Sequence, residues 1–201
     1  MNKTQVLTEL RRTIIEEMCV KQWRDVWFFP ERPGVKGWSG AAPIMFVGLN
    51  PSMGTFPPKA DDFLLYRSLS HAGLYDAHIT DLLKIRLNGK LVKESFANSD
   101  LVRLHKAWMN EEVRLLDPYL IVALGDKTFR ILRKWLPEHF HSRIEKIHHY
   151  SWAHRYKKEH VFALDVARMR DMYLESTTQS LSPDQAVQRG GGGIGAPDSE
   201  R

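Results

Sequence analysis

Apolar residues in the first twenty positions recur every three or four places: Val6, Leu7, Leu10, Ile14, Ile15 and Met18. That spacing puts them on one face and predicts an amphipathic helix over residues 4–22. Pro30, Pro33, Pro43, Gly34, Gly37 and Gly40 then mark residues 30–43 as a loop. Ile44–Leu49 is a short apolar run with strand character, and it stops abruptly at Asn50-Pro51-Ser52. Helical spacing returns over Phe63–Ala72 and closes at Gly73, a residue suited to ending a helix. "HITDLLKI", residues 78–85, looks like a second strand ending in polar residues. Leu101, Leu104, Trp108, Leu115 and Leu116 share a face of a helix over 99–117, which Pro118 ends.

"YLIVALG", residues 119–125, is apolar almost throughout, as a strand buried on both faces of a parallel sheet must be. "DKTFRILRKWL" follows as a helix, with Asp126 available as its cap. Residues 143–149 suit an edge strand, residues 150–155 a loop, and "VFALD", 161–165, leads into a last helix ending near Ser176. Strands thus alternate with helices. The fold class expected is α/β, a three-layer α/β/α arrangement around a central, mostly parallel four-stranded sheet. One domain spans residues 1–176. Residues 177–201, rich in Gly, Ser and Gln with few large apolar side chains, read as a disordered tail.

Composition narrows the classes. The chain has 201 residues and a formal charge of +5. Between Lys127 and Lys158 basic residues far outnumber acidic ones, which suits a polyanionic partner. The single cysteine, Cys19, excludes an intrachain disulfide framework and any four-cysteine iron–sulfur or zinc site. No apolar run reaches the roughly 18 residues a membrane span needs, and no signal-peptide core opens the chain. A cytoplasmic protein without cofactor, metal or membrane contact is expected, acting as a monomer.

In open α/β sheets ligands bind at the carboxyl ends of the strands. Polar clusters follow three of the expected strand ends: Asn50-Pro51-Ser52, the region of Asp81 to Lys84, and "HHYSWAHR" at 148–155. A fourth end, "VALGDKTF", supplies small residues and a helix start. Together they suggest a composite site, but spacing alone does not name its chemistry. Each cluster also has a plain structural reading. Asn50-Pro51 can simply start a turn, His148 and His149 can be strand residues, Phe56 can be core, and Trp108 and Trp135 read as core. His105, His139, His141 and His160 read as surface or locally hydrogen-bonded residues, with no spacing that suggests zinc.

These segments, taken in order, resemble the uracil-DNA glycosylase superfamily. "GLNPSMGTFPP…LLYRSLSHAGL" is similar to the opening motif of its mismatch-specific and single-strand-selective branches, where G-x-N-P bears the catalytic asparagine. "ITDLLKIR" resembles the strand end that helps to read the base, and "VALGDKTFRIL" the turn after the third strand. "HYSWAHR" resembles a His-Pro-Ser pattern followed by a wedge and an arginine, with Tyr150 where the pattern has proline. The likeness covers about residues 43–165 and mixes features of several branches.

The resemblance implies a monofunctional enzyme of base excision repair that hydrolyses the N-glycosidic bond of uracil, or another damaged base, in DNA. The base is flipped out of the stack to be reached. Asn50 would hold the attacking water, and His149 would donate a hydrogen bond to the departing base. Gly48, Leu49, Pro51 and Ser52 would form the pocket. Phe56 would stack on the base, with Phe63 as the competing candidate. Ser151 and Arg155 would hold phosphates, while Trp152 or His154 fills the gap left in the helix. Asp81 has two readings. A carboxylate only accepts hydrogen bonds, so it can take uracil N3–H but repels O4; alternatively it points away and caps the following turn. Two other functions stay open: a protein that binds damaged or abasic DNA with little turnover, and a hydrolase of free nucleosides or nucleotides.

Overall fold

The computed structural model describes residues 2–21, 26–32, 34–51, 61–86 and 99–181. Four strands form one sheet: β1 (Ala42–Gly48), β2 (Ala77–Asp81), β3 (Leu120–Leu124) and β4 (Ile144–Ile147). All pairings are parallel, in the order β2-β1-β3-β4. The chain leaves β1 to one side for β2 and to the other for β3, so the order reverses between β1 and β3. Such a switch point opens a crevice at the carboxyl ends of the strands.

Helices cover both faces. On one, Met45, Val47, Ile121 and Ala123 pack against α1 (Lys3–Val20) through Leu7, Leu10, Ile14 and Met18, and against α3 (Ser99–Leu116) through Trp108, Met109 and Val113. The same layer takes in Leu132 and Trp135 of α4 (Asp126–Trp135). On the other face Ile44, Phe46, Ile79, Val122 and Leu124 meet α2 (Asp61–His71), α5 (Tyr150–Arg155) and α6 (Glu159–Leu181). β1 and β3 are buried on both sides, which is why they carry apolar residues without alternation. The expected three-layer α/β/α class is the one observed.

Several boundaries differ from expectation. β2 ends at Asp81, yet the Leu82 and Leu83 N–H groups still donate to the Gly48 and Leu49 carbonyls at 3.0 and 3.1 Å. Ile85 then forms an isolated antiparallel bridge with Val26. Asp126 is not the cap of α4. Gly125 holds that position with φ 92°, and Asp126 pairs with Lys146 of β4 at 2.6 Å. Residues 150–155, expected as a loop, form the short helix α5. "VFALD" lies inside α6, because Phe162, Val166 and Met169 recur at helical spacing and are buried. That helix continues to Leu181, past the expected end at Ser176.

Candidate active site

The carboxyl edge of the sheet collects, in spatial order, Asp81 after β2, Asn50 after β1, Gly125 after β3 and His149 after β4. Asn50 and His149 flank β3, so two inter-strand steps, about 10 Å, separate their strands.

Asn50 is half-buried, and Pro51 beside it is buried. The Asn50 Nδ2 donates to the Pro51 carbonyl at 3.0 Å. This bond ties down the nitrogen end of the amide. The Oδ1 end, which has no hydrogen bond among the described residues, remains to accept one.

Gly48 and Asp81 are register partners across β1 and β2. Asp81 is 3% exposed, and its carboxylate lies across Gly48 so closely that a Cβ there would fall 2.1 Å from Oδ1. No residue with a side chain can stand at position 48 while Asp81 keeps this pose. Leu49 packs at the margin of the core. Ser52 and Phe56 lie outside the described residues. Phe63, the alternative stacking residue, is on α2 and 39% exposed.

His149 is the N-cap of α5. The Ser151 N–H donates to its Nδ1 at 3.1 Å, and the Ser151 hydroxyl oxygen lies 2.7 Å from the same nitrogen. A backbone N–H can only donate, so Nδ1 is the acceptor. In the neutral ring the proton is therefore on Nε2. A Cβ at 125 would make only ordinary contact with His149, 3.5 Å from its Cβ. The positive φ of Gly125 is what favours glycine there. Ser151 thus acts on His149 in this arrangement. The Asp126–Lys146 pair fastens the turn after β3 to β4, and the bond from Lys146 holds the Asp126 carboxyl below its ordinary range.

A cavity of about 390 Å³ adjoins His149 and is lined by Gly125, Lys146, His148, Trp152, Asp165 and Arg168, among others. Asp165 Oδ2 accepts from the His148 backbone N–H at 3.1 Å and lies 2.8 Å from its Nδ1. The His148 ring stacks on Trp152, with centroids 4.5 Å apart and planes 18° from parallel. Trp152 is 37% exposed, and Tyr156 lies 5.8 Å beyond it. His154 is exposed, 3.5 Å from Glu159 Oε1, and Arg155 is exposed at the end of α5. Tyr150 is 4% exposed and packs edge-on against Phe162, so it anchors α5 to α6.

One grouping escaped the sequence reading: Lys84, from the polar cluster after β2, is buried together with Glu112, His78 and His105 beneath the end of that strand. Its signal is visible in retrospect. Leu101, His105, Trp108, Glu112 and Leu116 follow one helical stripe of α3, with two polar residues on a buried face. Trp108 and Trp135 are buried, as expected. Among the described residues no group of three or more His, Cys, Asp or Glu could hold a metal ion. No described helix is long and apolar enough to cross a membrane.

The parallel sheet, the switch point and the asparagine and histidine at its carboxyl edge define a class of α/β proteins with a candidate composite site at the strand ends. The chain belongs to the uracil DNA glycosylase superfamily, whose model matches residues 37–172. Membership makes it a DNA glycosylase in general, a hydrolase of DNA repair that acts on DNA. A search of curated proteins gave no match.

Proposed function

We propose that the chain is a monofunctional uracil-DNA glycosylase acting on a base turned out of the DNA stack. In this reaction the C1′–N1 bond breaks, the sugar gains positive charge and the base leaves as an anion. Water then bonds to C1′ and releases a proton to solvent. Asn50 orients that water through Oδ1, since an amide positions better than it abstracts protons. His149 donates from Nε2 to the base oxygen on which negative charge collects, which lowers the barrier as an oxyanion hole does.

The observation that carries this reading is the capping bond at His149. It engages Nδ1 and leaves the proton on Nε2, the arrangement a hydrogen-bond donor to a leaving anion requires. The orientation of the Asn50 amide agrees with it. Gly48, Leu49, Pro51, Ser52 and Phe56 are assigned to the base pocket, and Ser151, Trp152, His154 and Arg155 to the DNA strand. The test is a labelled oligonucleotide containing one uracil, incubated with the protein and then treated with alkali. Strand breaks are expected. A shifted band without breaks would favour a binding protein, and neither result would favour a hydrolase of free nucleosides.

A further inference from the structure

Beneath the end of β2, on the face covered by α1 and α3, charged side chains are withdrawn from water. Lys84 is 1% exposed, and Glu112 and His78 are 0% exposed. The Lys84 ammonium lies 2.7 Å from Glu112 Oε1 as an ion pair, and it donates to Thr80 Oγ1 at 2.7 Å and to the backbone carbonyl of Asp81. The other Glu112 oxygen lies 3.3 Å from His78 Nε2; a carboxylate only accepts, so that nitrogen carries the hydrogen. The Trp38 ring covers the ammonium at 5.4 Å. Burial alone would push the Glu112 carboxyl up, but Lys84 and His78 outweigh it and hold the carboxyl below its ordinary value. The Glu112 side chain is therefore held as a carboxylate.

A buried ion pair is a poor device for stability. Its desolvation cost offsets its attraction, and apolar residues of similar volume often serve as well or better. Its location suggests another use. Among the described residues β2 is an edge strand and no outer strand reaches the Asp81 carbonyl; Lys84 supplies a donor there. The Asp81 carboxylate meanwhile lies against Gly48, two residues before Asn50. Asp81 is held through its backbone by Lys84 and through its side chain by the bare Cα of Gly48.

We propose that Lys84, kept in place by Glu112, is a positioning residue that sets Asp81 against the base beside Asn50. The pair serves the site rather than the fold. This rests on the glycosylase reading above and extends it to base selection. If the end of β2 shifts, the edge contact to the base shifts with it, and different bases suffer differently. A displacement near 1 Å is enough to cost on the order of 10²-fold in rate.

The experiment compares the full chain with the double variant Lys84→Met/Glu112→Leu, which removes both charges and leaves neither partner stranded. Melting temperature, affinity for DNA with an uncleavable abasic analogue, and single-turnover excision of uracil and of hypoxanthine are measured. The double variant is expected to melt within a few degrees of the parent and to bind the analogue unchanged. Excision should fall by about tenfold or more, with an altered uracil-to-hypoxanthine ratio. Parental excision with an unaltered ratio would overturn the proposal, and so would an equal loss on both bases. A double variant that does not fold would overturn it too, by assigning the pair to stability. A parent chain that excises neither base fails the glycosylase reading itself, and this proposal with it, before any substitution is made.

Discussion

Gly48 and Asp81 depend on each other. The carboxylate occupies the space a Cβ at 48 would need, so the glycine of the G-x-N-P segment serves packing across strands. Asn50 has a different constraint. Its nitrogen is tied to the Pro51 carbonyl, so the carbonyl end of the amide is the end left to accept a hydrogen bond. Asn50→Ala should therefore lower single-turnover uracil excision by roughly 10²–10³, the scale of losing one fixed catalytic group. DNA affinity should persist, because no phosphate contact is assigned to this side chain. An unchanged rate, measured by alkali cleavage of a labelled oligonucleotide, would remove Asn50 from the mechanism.

Among the elements, α3 carries the clearest pH signature. His105 is fully buried, its Nδ1 is 2.8 Å from the Leu101 carbonyl, and burial holds its pKa at about 4 against an ordinary 6.5. Above pH 6.5 the ring is neutral in both folded and unfolded chains. Between 6.5 and about 4 the unfolded chain takes up a proton that the folded chain refuses. Stability then falls as pH falls, by about 1.4 kcal/mol per pH unit, and this contribution levels off below 4. Glu112, held below its ordinary 4.5, loses its contribution only under that value. His105→Asn keeps a donor for Leu101 but does not titrate, so its melting temperature should vary less than the parent's between pH 6.5 and 4.5. An identical pH dependence in denaturant titrations would assign the effect elsewhere.

The short helix α5 raises a question of its own. Its Trp152 stacks on His148, which Asp165 holds from α6. Trp152→Ala should reduce excision from duplex DNA more than from single strands, because a wedge matters only where a stack must be opened. Equal loss on both substrates would mean that the ring merely packs α5 against His148.

Across the whole molecule, charge sets the encounter with DNA. The chain is basic, with a formal charge of +5. Arg155 lies exposed at the end of the helix that His149 caps, so a phosphate contact there would fall next to the candidate site. Arg155→Ala should weaken binding to all sequences alike and reduce the slope of log affinity against log salt by about one. A sequence-dependent loss with an unchanged slope would instead make Arg155 a reader of bases.

Local order determined much of this protein. Apolar runs marked β1 and β3, because strands buried on both faces leave no position for polar residues. Helical spacing marked α1, α2 and α3, and the polar breaks after the strands marked where a composite site would form. Other features depend on contacts between segments far apart in the chain. Asp126 had the chemistry of a cap, but Lys146 of β4 claimed its carboxylate and Gly125 took the cap position. Residues 150–155 looked like a loop, but Tyr150 and Ala153 found a buried face against α6 and the segment became helical. Lys84 belonged to a polar cluster after the second expected strand, and nothing in the sequence pointed to Glu112 as its partner. Only the packing of α3 under the edge of β2 brings them together in a space without water, where a pair that would mean little at the surface holds the Asp81 carbonyl in place.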